Sequence, residues 1–121
     1  MKMLRRTEGF TLVELMVVIL IIGILVAIAV PVFNSAKAAA ERKTCWANER
    51  SVEGAYQIYQ ADYPDAARPS SWATLMAVLV PAYVKSEPNC PATGTYATVF
   101  SGGATQVVTI SCNYAGHGTH P

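Results

Sequence analysis

Hydrophobic residues follow two different patterns in the first half of the chain. Residues 15–30 form a continuous apolar run without one polar side chain. As a helix, residues 10–30 would extend about 31 Å at ~1.5 Å per residue. That length matches the ~30 Å hydrocarbon core of a bilayer, so the pattern predicts a membrane-spanning helix over residues 10–30.

After Pro31 the pattern becomes amphipathic. Apolar residues recur at intervals of three, four or seven, with one five-residue step, at Phe33, Ala36, Ala40, Cys45, Val52, Tyr56 and Tyr59. The other faces carry charges at Lys37, Glu41, Arg42, Glu49, Arg50 and Glu53. This spacing predicts that residues 31–61 continue the same helix, from Phe10 to about Ala61, with one core stripe and a solvated charged face.

Residues 62–121 are predicted to form a small head. Tyr63-Pro64-Asp65 is a turn signal that ends the long helix. A second short helix is expected after it, capped by Ser70 or Ser71 and stopped by Pro81. Its apolar face consists of Trp72, Leu75, Met76 and Leu79.

Two β-rich segments follow a loop at residues 84–91. They are residues 95–100 and 106–112, separated by the turn Ser101-Gly102-Gly103, and they predict an antiparallel hairpin. Because a lone hairpin is marginal in water, we expect it to lie against the helix, with a third strand that the sequence does not locate. The predicted fold class is α+β.

Length and charge restrict the function classes. The 121 residues allow one small domain, and the net charge of +1 suggests no acidic or nucleic-acid partner. Lys2, Arg5 and Arg6 precede the apolar run. A positive flank tends to stay in the cytoplasm, so we expect a single-pass segment with its N-terminus inside.

Glu14 distinguishes three interpretations of the apolar segment. A cleaved secretory signal would have a shorter apolar region before its cleavage site, and a permanent signal anchor fits the length and the charge. Neither explains a carboxylate placed four residues into the apolar segment. An acid inside a membrane is expensive and implies a partner that neutralises it.

The segment Arg6-Thr7-Glu8-Gly9-Phe10-Thr11-Leu12-Val13-Glu14 resembles the processing site of type IV prepilins and type II secretion pseudopilins. The resemblance implies that residues 1–9 are a leader, that a membrane peptidase cuts between Gly9 and Phe10, and that Phe10 is then N-methylated. It also implies that Glu14 pairs with the amine of a neighbouring Phe10 during assembly. Two buried charges are tolerable only as such a pair.

The same resemblance implies the later steps. Gly23 and Pro31 occupy positions where many such proteins have helix-weakening residues, so the stretch between them is expected to lose helical order when subunits pack. The implied partners are further copies of the chain in a helical filament, a prepilin peptidase and methyltransferase, an inner-membrane assembly platform and a cytoplasmic ATPase. The chain would lie in the cytoplasmic membrane before assembly and in a cell-surface filament afterwards.

A major pilin is favoured within this resemblance. Pseudopilin heads often carry a calcium-binding loop near the C-terminus, but Glu87 is the only acid after Val84, which is too few carboxylates. Minor pilins that initiate filaments can lack the acid that Glu14 supplies here. A secretion pseudopilin, or a signal-anchored extracytoplasmic binding protein that does not polymerise, is the alternative.

The chain has three cysteines, Cys45, Cys90 and Cys112. An exported head meets an oxidising environment, so we expect one disulfide, which leaves one thiol over. An antiparallel hairpin brings Cys90 and Cys112 together, so we favour that pair, in line with the family's tendency to staple its C-terminal region. A link between Cys45 and Cys90 is the main competitor. In the favoured pairing, Cys45 is left over and buried between helix and sheet.

No catalytic constellation, phosphate loop or cofactor motif is apparent. Cys112, His117 and His120 lie close in sequence, but their spacing is not a strong zinc signature, so no metal site is predicted. The aromatic residues along the long helix are attributed to core packing rather than to electron conduction.

Overall fold

Two helices and a two-stranded sheet make up the part of the chain that the computed structural model describes, residues 9–102 and 107–121. In chain order they are α1 (Leu12–Asp62), α2 (Trp72–Leu79), β1 (Tyr96–Ser101) and β2 (Val107–Cys112). This arrangement confirms the α+β class. Residues 1–8 of the predicted leader, and Gly103 and Gln106 of the predicted hairpin, lie outside the described residues. The chain divides into two units, Met1–Lys37 and Ala38–Pro121, which are treated separately below.

Helix α1 begins at Leu12, two residues after the predicted start, because Thr11 caps it. The Glu14 backbone N–H donates to Thr11 Oγ1 at 3.2 Å, and the Thr11 backbone N–H donates to Glu14 Oε2 at 2.8 Å. These reciprocal bonds form a capping box, which satisfies two N–H groups that would otherwise lack helical partners.

The N-terminal part of α1 is helical without a break. Pro31 lies inside the helix, and Gly23 has open space where a Cβ would be. By length and composition, α1 could cross a membrane. The expected loss of order between Gly23 and Pro31 concerns packed subunits and stays a prediction.

The second unit takes its core from the later part of α1. Cys45, Val52 and Tyr56 are buried there as predicted. The predicted stripe is wrong for Phe33, Ala36 and Ala40, which are exposed because the core elements contact the helix from Cys45 onward.

Glu49 is a second correction to the predicted pattern. The sequence assigns it to the solvated face of the helix, whereas its side chain is 0 % exposed. The C-terminal segment covers this turn of α1, and the backbone N–H of His120 donates to Glu49 Oε2 at 2.9 Å.

Helix α2 begins with the second of the two predicted caps. The side chain of Ser71 accepts a hydrogen bond from the backbone N–H of Thr74, and the Thr74 hydroxyl accepts one from the Ser71 backbone N–H. The helix ends at Leu79, before Pro81, as predicted. One core cluster joins α1, α2 and β2 through Val52, Ala55, Tyr56, Leu75, Met76, Leu79, Val108 and Ile110.

The two strands form an antiparallel pair with Tyr96 opposite Cys112 and Ser101 opposite Val107. In β2 the side chains alternate in burial, so that Val108, Ile110 and Cys112 face the protein interior. Within the described residues the sheet has two strands, and the third strand that was expected is not among them. The hairpin contacts α1 directly, since the backbone N–H of Ile110 donates to Glu53 Oε1 at 2.9 Å.

Candidate functional site

The predicted processing site lies on exposed backbone ahead of α1. Phe10 is 86 % exposed, and Gly9 has no heavy atom within 4 Å of the position that a Cβ would take. Both residues precede the first helical residue, Leu12. Both residues of the predicted cut are therefore exposed and lie outside the helix.

Glu14 has a local role in the isolated chain. Its Oε2 accepts hydrogen bonds from both the backbone N–H and the hydroxyl of Thr11, at 2.8 and 2.9 Å. The carboxylate thus stabilises the start of α1 besides any role in assembly. This contact was not predicted, although Thr11-x-x-Glu14 fits the capping-box pattern.

An exposed apolar surface surrounds Glu14. The large apolar side chains from Leu12 to Phe33 are exposed, with values from 47 % at Val18 to 73 % at Leu12. Soluble monomers rarely expose a contiguous patch of this kind, so lipid or another protein must cover it. Because Glu14 places a carboxylate within this surface, the lipid or protein that covers it must tolerate or neutralise a negative charge.

The second unit contains a buried cluster of three thiols and an imidazole. Cys45 comes from α1, Cys90 from the loop before β1, Cys112 from the end of β2, and His117 from the C-terminal segment. Their candidate ligand atoms all lie within 4.8 Å of one another, and all four residues are buried. The sequence did not predict this cluster, because its members are far apart along the chain, from Cys45 to His117.

Three short distances define the centre of this thiol–imidazole cluster. The Cys90 and Cys112 sulfurs are 3.5 Å apart. His117 Nδ1 is 3.6 Å from the Cys90 sulfur and 4.0 Å from the Cys112 sulfur. All three cysteines are free thiols in this structure. The predicted disulfide between Cys90 and Cys112, and its competitor between Cys45 and Cys90, stay predictions.

Neighbouring donors affect the thiols unequally. Burial raises the pKa of the Cys45 thiol to about 12, against a hydrogen bond with Tyr96 that lowers it. Burial alone would also raise the pKa of the Cys90 thiol. Backbone hydrogen bonds from Ala92 and Gly94, with one from Cys112, outweigh that effect and bring the Cys90 pKa below its usual value. Cys90 is therefore the thiol that this environment most favours as a thiolate.

The C-terminal segment is held against α1 by several bonds. His120 Nε2 lies 2.7 Å from Glu53 Oε2, and the guanidinium of Arg50 donates to the carbonyl of Pro121 at 3.1 Å. The indole N–H of Trp46 donates to the His117 carbonyl at 2.7 Å. These contacts hold His117 beside the cysteines. The hydrogen bond with Glu53 raises the pKa of His120.

Comparisons with known families, proteins and solved structures show what the chain is similar to. The prokaryotic N-terminal methylation motif matches residues 4–30. The type IV narrow pilus major component PilA5 of Thermus thermophilus is 32 % identical over 115 residues, which cover 89 % of this chain and 99 % of that protein. No solved structure matches the chain significantly.

Secretion proteins are also similar to the chain. The type II secretion system core protein G of Pectobacterium carotovorum is 38 % identical over 90 residues, which cover 74 % of this chain and 56 % of that protein. The core protein G of Klebsiella pneumoniae is 39 % identical over 59 residues, which cover 49 % of this chain and 42 % of that protein. The chain thus spans about half the length of these secretion proteins.

A methylation motif, an apolar helix long enough to span a membrane and an α+β unit occur together in this chain. The similarity to the Thermus pilus component extends over nearly that whole protein. The chain belongs to the type IV pilin family.

Proposed function

We propose that this chain is the structural subunit of a type IV pilus-like filament, cut between Gly9 and Phe10 and assembled through the apolar part of α1. The observation that carries the proposal is the exposed apolar surface from Leu12 to Phe33 with Glu14 at its beginning. In the membrane, lipid covers this surface. In the filament, the same surface of neighbouring copies covers it.

In this proposal, Glu14 sets how neighbouring copies align along their apolar helices. Cleavage before Phe10 creates a positive amine, four residues from the carboxylate. Within one chain, the Thr11 donors already occupy Oε2 of Glu14. When the apolar surface is buried between copies, the amine of one chain neutralises Glu14 of the next, because an unpaired buried charge is strongly destabilising.

The cell's assembly machinery supplies the remaining steps of this proposal. A prepilin peptidase and methyltransferase act on Gly9 and Phe10, and an inner-membrane platform with a cytoplasmic ATPase extracts the subunit. The positive residues before α1 support an N-terminus on the cytoplasmic side, which places the second unit outside. The role of the chain is structural and not catalytic.

A type II secretion pseudopilin is the second candidate, because core protein G of several bacteria is among the relatives. Against it stands the composition after Val84, where Glu87 is the only acid and leaves too few carboxylates for a calcium loop. The pilus component also matches over 99 % of its length, compared with 56 % and 42 % for the two secretion proteins.

Mass spectrometry of the protein from its native host tests the processing step. We expect a mature chain that begins with N-methyl-Phe10. An intact Met1 terminus in cells with an active prepilin peptidase would contradict the proposal and support a signal-anchored protein that does not polymerise.

Electron microscopy then separates the two filament classes. Immunogold labelling of native cells should mark surface filaments, and deletion of the chain should remove them while leaving protein secretion intact. A secretion defect without loss of surface filaments would favour the pseudopilin.

A further inference from the structure

We propose that Cys45, Cys90, Cys112 and His117 form a tetrahedral zinc site with three thiolate ligands and one imidazole ligand. The proposal rests on the convergence of four buried donor atoms from four separate segments, all within 4.8 Å of one another. It concerns the second unit of the chain and does not depend on whether the filament proposal is correct.

Three of the distances within the cluster are close to those of tetrahedral coordination, and the Cys45 sulfur lies within 4.8 Å of the other ligand atoms. With Zn–S of about 2.3 Å and Zn–N of about 2.0–2.1 Å, ligand sulfurs lie about 3.8 Å apart, and a ligand sulfur and nitrogen lie about 3.5 Å apart. The sulfurs of Cys90 and Cys112 are 3.5 Å apart. His117 Nδ1 is 3.6 and 4.0 Å from them. Each value differs from the tetrahedral one by a few tenths of an ångström or about half an ångström at most.

The donor set is selective for a thiophilic ion. Three cysteines and one histidine form one of the usual sets of structural zinc sites, whereas calcium and magnesium take oxygen ligands. All four residues are buried, at 0 % exposure for Cys45 and at most 8 % for the others. Such a closed site leaves no position for a reacting water, so the ion would stabilise the fold and not catalyse a reaction.

Hydrogen bonds from outside the cluster orient its sulfur ligands. The backbone N–H groups of Ala92 and Gly94 donate to the Cys90 sulfur, and that of Tyr114 donates to the Cys112 sulfur. The hydroxyl of Tyr96 hydrogen-bonds to Cys45 and in turn accepts from Asn48 Nδ2 at 3.0 Å. Such outer partners orient metal ligands and spread the negative charge of three thiolates around a divalent ion.

Gly94 leaves the space that the cluster needs. A Cβ at this position would lie 2.5 Å from the Cys112 sulfur and 3.2 Å from the Cys90 sulfur. The C-terminal segment turns back through Gly116 and Gly118, both at positive φ, and the Cys112 N–H donates to the Gly118 carbonyl at 3.2 Å. This turn brings His117 to the two sulfurs.

The predicted disulfide uses the same atoms and excludes the zinc site. Bonding Cys90 to Cys112 would require their sulfurs to approach from 3.5 Å to about 2.05 Å. A disulfide needs two sulfurs only and does not explain why a third thiol and an imidazole converge on the same point. Zinc binding uses all four groups and releases the thiol protons.

The test measures metal and thiols in the full chain, isolated in detergent without chelator, reductant or added metal. We expect one zinc per chain by elemental analysis and native mass spectrometry. Alkylation after unfolding should modify all three cysteines. Replacement by Co²⁺ should give the thiolate-to-cobalt absorption and d–d bands of a tetrahedral site.

Two variants link the metal to its ligands. His117→Ala removes the imidazole without affecting a Cys90–Cys112 disulfide, and Cys45→Ser removes the third sulfur. Each should weaken Zn²⁺ binding by more than the roughly 10–100-fold that loss of an outer partner costs. His120→Gln is the matched control, since His120 contacts Glu49 and Glu53 and only helps to hold the C-terminal segment in place. It should weaken Zn²⁺ binding by no more than the roughly 10–100-fold that loss of an outer partner costs.

Isolation of a zinc-free chain whose unreduced peptide map joins Cys90 to Cys112 overturns the proposal. Zinc binding that survives both ligand substitutions unchanged also overturns it. Circular dichroism checks that the variants keep their helical content. If neither variant folds, the zinc content and the thiol count of the original chain decide the question.

Discussion

Gly94 lies beside the cysteine sulfurs, where a side chain would not fit. A Cβ there would be 2.5 Å from Cys112 Sγ and 2.9 Å from Tyr114 Cβ, and the second contact allows little adjustment. Its φ is not in the positive region, so the restriction is steric. We predict that Gly94→Ala lowers the free energy of unfolding by about 1–3 kcal/mol, as other overpacking substitutions do. Denaturant unfolding in detergent, followed by tryptophan fluorescence, measures it.

Gly54→Ala is the matched control for this substitution. Gly54 lies inside α1, and no atom lies within 4 Å of its Cβ position. Because alanine is the better helix former, the control should be neutral or raise the free energy of unfolding by about 1 kcal/mol or less. Equal effects of the two substitutions would contradict the steric role of Gly94.

The ion pair between His120 and Glu53 makes the second unit sensitive to pH. The hydrogen bond with Glu53 raises the His120 pKa in the folded chain above its unfolded value of about 6.5, while Arg50 opposes the shift. The stabilising contribution is thus fully present below that unfolded pKa and is lost as pH rises through the folded pKa.

We therefore predict that, as pH rises above about 6.5, the free energy of unfolding falls by more in the original chain than in His120→Gln. The difference between the two chains isolates His120 from the thiols, which titrate in both. Denaturant titrations at a series of pH values measure it. Parallel pH profiles for the two chains would show that the pair between His120 and Glu53 contributes nothing.

Helical spacing explains which buried residues of α1 were predicted correctly and which were not. Cys45, Val52 and Tyr56 were assigned to the core correctly because helical spacing alone places them on one stripe. Glu49 was assigned to the surface because its burial depends on the segment around His120, which is 71 positions away. Spacing along a helix carries no information about which distant segment will cover it.

Local signals explain the accuracy of the element boundaries. The short helix begins after Ser71 and ends before Pro81, and both limits are set by residues inside or beside it. The start of α1 was placed two residues early because the cap at Thr11 was overlooked. The strands begin and end within about one residue of their predicted limits where the structure describes them.

The N-cap of α2 is expected to contribute to the stability of the second unit. Leu75, Met76 and Leu79 of this helix belong to the core, so the start of the helix must be fixed. We predict that Ser71→Ala lowers the free energy of unfolding by about 1 kcal/mol, because the Thr74 N–H loses its acceptor. Thermal unfolding followed by circular dichroism checks this value.

Ser70→Ala serves as the control for the cap. Ser70 is exposed, and the hydrogen bond described for it runs from its backbone N–H to Thr74 Oγ1, which the substitution leaves in place. Its effect should be within about 0.5 kcal/mol of zero. A loss as large as that of Ser71→Ala would mean that the capping box does not set the start of α2.

One part of the chain can be identified from a local sequence motif. Another part, the thiol–imidazole cluster, becomes visible only in the folded structure. The segment around Gly9, Phe10 and Glu14 is contiguous, so a resemblance over nine residues sufficed to predict the family correctly. The thiol–imidazole cluster is assembled from four segments, and the sequence suggested no metal site there. A site composed of distant residues leaves no characteristic spacing along the chain.

At the scale of the whole molecule, a filament-assembly assay can separate two roles of Glu14. In the isolated chain Glu14 caps α1 together with Thr11. In the proposed filament its charge neutralises the amine of a neighbouring Phe10. Glutamine at position 14 can still complete a capping box but carries no charge. Glu14→Gln should therefore preserve helix content and cleavage after Gly9 while filament yield falls at least tenfold, because the amine is buried without a counter-charge.

Thr11→Ala is the complementary variant, since it weakens the cap and keeps the carboxylate. It should lower the stability of the first turn by about 1 kcal/mol and leave filaments in place. Quantitative electron microscopy and immunoblots of sheared filaments measure the yield, and mass spectrometry of the membrane fraction measures cleavage. If Glu14→Gln assembles normally and Thr11→Ala does not, then Glu14 acts through the cap. Charge pairing between subunits would then not be what directs the apolar helix into a filament.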